Sequence, residues 1–263
     1  MKKIIAFLDD QSDKEIVVKS AIELALLLNL EIIVCHLVFA PSNWEQLNRN
    51  EKSKHPESKL KINDARFLMD DILGEIRLKN IKAKKRFLYF DASETNFELG
   101  FHKDELIIME KKFLKRGRNR ALRELIFNLE PSKLILSKPI DVSKISDIVL
   151  TSNFHEIKSE TAELINNLYG YLDFNLNLVY INTKDKQENS DISINNMKKV
   201  IAEKRFSRTS ISIFHSERKI RGAELFANMK GGDLIILECS QHILNQELAR
   251  LNLPIIIVNK CDD

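Results

Sequence analysis

Two adjacent carboxylates, Asp9 and Asp10, stand directly after an uninterrupted apolar run from Ile4 to Leu8. Such a run is typical of a parallel strand that is covered on both faces. Ligands of open α/β sheets bind at the carboxyl ends of the strands, so both aspartates are candidates for a polar contact to a ribose or an adenine. The alternative interpretation is a structural pair that caps the following helix and faces water.

A basic loop, residues 111–120, follows a second apolar run, Glu105 to Met109, and carries six Lys or Arg side chains. Arginine suits bidentate contacts to phosphate, and Gly117 permits a tight turn before the next helix. The basic loop is therefore either an anion-binding loop or a solvated one. With the two aspartates, the candidate nucleotide- or anion-binding residues are Met109, Lys112, Lys115, Arg116, Arg118 and Arg120.

No other pattern in the sequence indicates catalysis or metal binding. The six histidines show no ligand spacing, and His36 is interpreted as a core residue on a strand. No serine stands in a nucleophile elbow. The three cysteines are too few and too scattered for a disulfide scaffold or a zinc site. We predict no catalytic residue and no metal site, and a binding protein fits the sequence better than an enzyme does.

The composition is that of an ordinary globular protein, with 44% hydrophobic and 30% charged residues. The net charge is +3, and the basic excess is local to the basic loop, so nucleic acid is not an expected partner. No apolar run reaches the length of a membrane span. The chain opens on a strand rather than on a signal peptide, so we expect a cytoplasmic protein.

Apolar runs predict five strands in the first half of the chain, at Lys2–Asp10, Leu30–Val38, Arg86–Phe90, Glu105–Met109 and Lys133–Ser137. Helical patterns alternate with them at 13–29, 60–79, 94–103 and 122–129. Asp13 can cap the first of these helices, and Asn29 is predicted to end it. Residues 40–59 are polar and contain the only tryptophan, Trp44, and they are predicted to form a long loop or a poorly ordered excursion. This alternation predicts a doubly wound parallel sheet with helices on both faces.

The same order of elements begins again after residue 144. Asp9 lies 27 positions before His36, and Asn153 lies 27 positions before Tyr180. The repeated strands are predicted at Asp147–Asn153, Leu176–Asn182, Ser210–Phe214, Asp233–Leu237 and Pro254–Asn259. Helices are predicted between them at 157–168, 194–201, 220–229 and 242–251. The sequence thus predicts an α/β fold of two tandem, doubly wound domains, each with a five-stranded parallel sheet, at residues 1–140 and 145–263.

The stretches KKIIAFLDD, AIELALLLN with LEIIVCHLV, and ELIIM resemble a universal stress protein domain, and DIVLTSNF, LNLVYIN, DLIIL and LPIIIVN repeat the resemblance. The likeness covers nearly the whole chain. It implies a Rossmann-like fold whose last strands pair between domains, which would make this chain an intramolecular pseudo-dimer. It leaves room for a higher oligomer and identifies no protein partner.

Many members of this family bind ATP through an aspartate after the first strand and a glycine motif after the fourth. Asp9 matches the aspartate, but Asn153 replaces it in the second half. The glycine positions are occupied by Glu110, Phe113 and Arg123 in the first half and by Glu238, Gln241 and Leu251 in the second. A carboxylate against a phosphate is repulsive, so neither half is expected to hold ATP in the family's way. No cofactor is predicted, and only domain 1 leaves room for ATP or another nucleotide.

Two functions remain open at this point. The first is a non-enzymatic, stress-response regulatory protein that acts through protein contacts and has lost the ATP site in both halves. The second is a nucleotide- or anion-binding sensor, or a weak ATPase, that uses Asp9 and the basic loop of domain 1. The fold is compatible with both functions.

Overall fold

The computed structural model describes residues 1–91, 100–115, 129–183, 189–240 and 250–260, together with positions 124, 126 and 248. Within this part of the chain the strands are β1 (Lys3–Asp9), β2 (Glu31–Phe39), β3 (Ala83–Phe90), β4 (Glu105–Glu110), β5 (Ser132–Leu136), β6 (Asp147–Thr151), β7 (Asn175–Asn182), β8 (Thr209–His215), β9 (Leu234–Ser240) and β10 (Ile255–Lys260). The α-helices are α1 (Lys14–Leu28), α2 (Arg49–Ser53), α3 (Pro56–Leu78), α4 (Lys112–Lys115), α5 (Ser159–Tyr169), α6 (Ser190–Lys204) and α7 (Lys219–Lys230).

All ten strands belong to one sheet, in the order β3-β2-β1-β4-β5-β10-β9-β6-β7-β8. Each half contributes five parallel strands in the same internal order, and the predicted α/β fold class is confirmed. The two halves meet where β5 and β10 pair antiparallel, with Leu134 opposite Ile256 and Ile135 opposite Ile255. This seam places the last strand of each half inside the sheet, so neither apolar strand is left as an exposed edge.

Helices cover both faces of the sheet, and each face has its own apolar core. On one face α1, α3, α5 and α6 pack on the strands, with Val17, Met69 and Ile165 buried. On the other face α4 and α7 pack on the strands, with Phe113 and Phe226 buried. The strands are therefore apolar on both sides, which explains the continuous runs in the sequence.

Helix α1 begins and ends at residues that the sequence marks. The Asp13 side chain accepts a hydrogen bond from the Glu15 backbone N–H at 3.0 Å, which is an N-cap contact. Asn29 ends the helix with φ 52°, a left-handed conformation that asparagine tolerates better than most residues. Both capping residues were predicted, and both are confirmed.

The prediction of a loop over residues 40–59 is wrong. This segment forms a 3₁₀ turn (Trp44–Gln46), helix α2 and the first residues of α3. Trp44 is 2% exposed and packs in a small core with Val38, Ile62 and Tyr89. Ala40 is buried in the same core and Leu47 packs against it, so a few apolar side chains anchor a segment whose composition is mostly polar.

Three helix predictions cannot be compared fully with the structure. Residues 100–103, the described end of the helix predicted near 94–103, are not helical. The predicted helices over 122–129 and 242–251 lie mostly outside the described residues. Strand β3 begins at Ala83, three residues before the predicted start. The proposed domain boundary near residues 140–145 coincides with a short 3₁₀ turn, Val142–Lys144, and remains a prediction.

Candidate functional site

The Asp9 carboxylate closes the turn that leads from β1 to α1. Its Oδ1 accepts hydrogen bonds from the Ser12 hydroxyl at 2.7 Å and from the Gln11 backbone N–H at 3.2 Å. The Ser12 oxygen in turn accepts the Asp9 backbone N–H at 3.0 Å. Asp9 is 8% exposed, so its carboxylate is held largely by its own chain. A buried carboxylate with such partners is an ordinary structural element of a turn.

The Asp10 side chain is directed toward α3, whereas that of Asp9 stays within the turn after β1. Its Oδ2 lies 3.8 Å from the Lys61 ammonium on α3, and both side chains are more than a third exposed. Such a surface ion pair contributes at most about 1 kcal/mol. The two neighbouring aspartates thus have separate partners.

Glu110, the last residue of β4, reaches the N-terminus of α1. Its Oε2 accepts the Asp13 backbone N–H at 2.7 Å, and its Oε1 lies 3.0 Å from the Lys112 ammonium. The Glu110 side chain is 2% exposed. Free N–H groups and the helix dipole give the first turn of a helix a positive potential that attracts anions. Glu110 places the chain's own anion there.

Glu238 makes the equivalent arrangement in the second half, where it lies in the C-terminal part of β9 beside the start of α5. Its Oε1 accepts the Lys158 backbone N–H at 3.1 Å and the Thr161 hydroxyl. Its Oε2 accepts the Ser152 hydroxyl at 2.7 Å. Glu238 is 1% exposed. Each half of the molecule therefore has a buried glutamate near the C-terminal end of its fourth strand, hydrogen-bonded to the start of the helix that follows its first strand.

The sequence identified both glutamates only as a mismatch with phosphate, and their capping contacts were missed. The available signal is positional: in each half the glutamate directly follows the apolar run of the fourth strand. Sequence spacing cannot show that these side chains turn toward a helix that begins 97 residues earlier in one case and about 80 in the other.

Two lysines of the basic loop, Lys111 and Lys112, bind within the chain. The Lys111 ammonium donates to the Leu251 carbonyl in the second half, and the Lys112 ammonium pairs with Glu110. Met109 is fully buried in the core, so its side chain does not line the sheet edge. Lys115 ends α4. The candidates Arg116, Arg118 and Arg120 lie outside the described residues.

His36 is a core residue, as interpreted from the sequence, but it has an unusual environment. It is 1% exposed in β2, and its Nδ1 has no hydrogen-bond partner in the described structure. Burial lowers the pKa of His36, and the nearby carboxylates of Asp10 and Asp9 oppose this effect only in part. The imidazole is therefore stabilised in its neutral form.

A cavity of about 680 Å³ lies in the second half, between α7 and the segment before β10. Its lining includes Arg218, Arg221 and Arg250 together with Glu217 and Glu224. The buried Glu224 carboxylate accepts the Asn252 backbone N–H at 2.8 Å and a hydrogen bond from Arg221. No pattern in the sequence pointed to this cavity, because its lining comes from separate segments.

Two further features can be stated for the described part of the chain. No helix there combines the length and the apolar character needed to cross a bilayer. No group of three or more His, Cys, Asp or Glu side chains there is arranged to hold a metal ion.

Comparison with solved structures shows where this architecture occurs. A universal stress protein from Archaeoglobus fulgidus matches with a TM-score of 0.68 at 14% identity, covering 99% of this chain and 97% of that one. A protein from Pseudomonas aeruginosa assigned as a universal stress protein matches with a TM-score of 0.62 at 11% identity, covering 98% and 93%. The cytoplasmic domain of a prokaryotic cation chloride cotransporter matches with a TM-score of 0.55 at 8% identity, covering 98% and 95%. No family model and no curated protein matches the sequence. At these identities the likeness shows the fold alone.

Proposed function

We propose that this chain, which has the fold of the universal stress proteins, is a non-enzymatic regulatory protein of the stress-response type. In this proposal it acts through protein contacts and does not use ATP. The observation that carries the proposal is the pair of buried glutamates, Glu110 and Glu238, at the N-termini of α1 and α5. They occupy two of the places where a fold of this kind offers backbone N–H groups to a phosphate.

The residues present do not fit a triphosphate in the family's usual position. A phosphate that approached either helix would lie beside a buried carboxylate. Two unit charges about 4 Å apart repel by about 4 kcal/mol at an effective dielectric constant of about 20. Since about 1.4 kcal/mol changes a dissociation constant tenfold, this repulsion would turn a micromolar site into a roughly millimolar one.

Displacing the glutamate offers no easier route to binding. A phosphate that replaced the Glu238 carboxylate would leave a buried charge without the three donors that now bind it. Breaking such a buried arrangement from one side typically costs about 3–5 kcal/mol. Both routes therefore work against nucleotide binding.

The alternative, an anion-binding sensor or weak ATPase in the first half, would depend on Asp9 and the basic loop. The contacts of Asp9 with Ser12 and of Lys112 with Glu110 already engage two of those candidates inside the chain. These contacts support the non-enzymatic proposal over the alternative.

Titration calorimetry with Mg·ATP, ADP and AMP at low ionic strength tests the proposal. We expect no measurable heat of binding at nucleotide concentrations up to about 100 μM, because a site of roughly millimolar affinity stays almost empty there. A dissociation constant below about 100 μM would contradict the proposal. In that case, loss of binding in the double variant Arg116→Ala, Arg118→Ala would favour the sensor alternative.

A further inference from the structure

The cavity beside α7, which we call the α7 cavity, has walls from two separate segments. One wall consists of α7 and the residue before it, with Arg218, Arg221 and Leu225 in the lining. The other wall is the segment before β10, with Arg250 and Leu251 in the lining. A volume of about 680 Å³ is in the range of sites for small organic ligands. Each wall thus offers guanidinium donors beside a leucine side chain.

The wall before β10 is held in place from both halves of the molecule. Glu224 on α7 is 1% exposed and accepts the Asn252 backbone N–H at 2.8 Å. From the first half, the Lys111 ammonium donates to the Leu251 carbonyl, and the Ser137 hydroxyl donates to the Asn252 carbonyl at 3.3 Å. These three contacts fix the backbone of this wall. A ligand that binds there does not have to order it, which lowers the cost of binding.

Glu224 also positions a guanidinium group on the opposite wall. Its carboxylate accepts a hydrogen bond from Arg221, three residues earlier on α7. The Glu224 side chain is 1% exposed, whereas that of Arg221 is 58% exposed. A guanidinium group has five N–H donors in a rigid fork, so Arg221 keeps donors that its contact with Glu224 does not use. The buried carboxylate therefore holds a half-exposed guanidinium group at the cavity.

The charge of the lining is positive. Three guanidinium groups stand against two carboxylates, those of Glu217 and Glu224. Glu217 and Arg218 carry opposite charges and have further contacts within the chain. Arg250 is exposed and, among the residues that the structure describes, forms no salt bridge. The donors that a ligand can use are therefore those of Arg221 and Arg250, one on each wall.

We propose that the α7 cavity binds a small dicarboxylate, a class of ligand with an anion at each end and apolar carbons between. The fork of an arginine matches a carboxylate in bidentate geometry. One carboxylate binds Arg221, and the other binds Arg250 on the facing wall. The carbon chain between them packs on Leu225 and Leu251. Charge complementarity at both ends fixes the orientation of the ligand and selects against anions with a single charged end.

The α7 cavity is separate from the places that the proposed function concerns. Neither Glu110 nor Glu238 belongs to the described lining. A dicarboxylate in this cavity therefore leaves both buried glutamates in place. Calorimetry with nucleotides tests the proposed function, and calorimetry with dicarboxylates tests the α7 cavity, so that failure of one does not imply failure of the other.

Titration calorimetry of the full chain with glutarate at low ionic strength tests the site, with succinate and adipate as shorter and longer dicarboxylates. Butyrate is the comparison with one carboxylate. We expect the best dicarboxylate to bind at least ~10-fold more tightly than butyrate, because only a dicarboxylate reaches both walls. In Arg250→Gln this preference should fall below about 2-fold. The matched control is Arg49→Gln, which removes an exposed arginine of α2 and should leave the preference unchanged.

Three results would overturn the proposal. The first is a wild-type chain that binds none of the three dicarboxylates at concentrations up to about 10 mM. The second is a preference for dicarboxylates that survives Arg250→Gln, and the third is a preference that Arg49→Gln removes as well. Circular dichroism melting of each variant confirms that it is folded. We expect Arg250→Gln to melt with the wild-type chain, because substitutions of exposed residues seldom change stability.

Discussion

Replacing Glu238 by Gln tests whether the buried carboxylate stabilises the start of α5. The substitution keeps the shape of the side chain but removes its charge and turns one acceptor into a donor. The Lys158 N–H and the hydroxyls of Ser152 and Thr161 now donate to the two carboxylate oxygens. One of these oxygens would become an NH₂ group that cannot accept their hydrogen bonds.

The magnitude follows from those contacts. A hydrogen bond to a charged group contributes about 1.5–3 kcal/mol, and a charge at a helix terminus contributes up to about 2 kcal/mol when partly buried. Because Gln keeps one acceptor and can rearrange, we expect a loss of about 2–4 kcal/mol in the free energy of unfolding. For a chain of this size that lowers the melting temperature by roughly 5–15 °C.

Thermal and urea unfolding followed by circular dichroism measure this change. The matched control is Glu23→Gln on α1, an exposed position that should shift stability by less than about 0.5 kcal/mol. Glu110→Gln should lower the free energy of unfolding by an amount between those of Glu238→Gln and Glu23→Gln. Its carboxylate accepts one backbone N–H and pairs with one exposed lysine. A Glu238→Gln variant with the same melting temperature as the Glu23→Gln control would refute the reasoning about the helix terminus.

Three further predictions concern the core. Because burial lowers the pKa of His36 below its usual 6.5, the unfolded chain binds a proton first as the pH falls, and stability declines below about pH 6.5. His36→Leu should reduce the slope of the free energy of unfolding against pH by up to about 1.36 kcal/mol per pH unit in urea titrations. An unchanged slope would contradict a lowered pKa of His36. Trp44→Ala should lower the free energy of unfolding by about 3–5 kcal/mol in calorimetry. A loss under about 1 kcal/mol would indicate that residues 40–59 form a loop after all. Gly222→Val should unfold at lower urea, because a Cβ there lies 2.7 Å from Ile181 and Ser216; an unchanged midpoint would contradict this close packing.

The sheet could be predicted well from the sequence because parallel strands that are buried on both faces consist of continuous apolar runs. The 27-residue spacing from Asp9 to His36, repeated from Asn153 to Tyr180, indicates the second half together with the repeated order of strands and helices. Local signals also sufficed at the ends of α1, where Asp13 and Asn29 act through their own backbone neighbours. These features depend on short-range chemistry.

Features that depend on distant contacts were not predictable. Lys133 was placed on an apolar last strand, and it is fully buried, with its ammonium donating to the Leu129 carbonyl. Trp44 orders a polar segment through contacts to β2, β3 and α3. The capping role of Glu110 and Glu238 requires knowledge of which strand lies beside which helix. A sequence read one segment at a time does not contain that information.

The most direct test of the central claim is a crystal structure of the full chain equilibrated with about 0.1 mM Mg·ATP, which would fill a micromolar site and leave a millimolar one almost empty, refined to a resolution that separates carboxylate from phosphate. The account predicts that Glu110 remains bound to the Asp13 N–H and Glu238 to the Lys158 N–H, with no nucleotide density at either helix. Phosphate density on either N–H group, with the glutamate turned away, would contradict it.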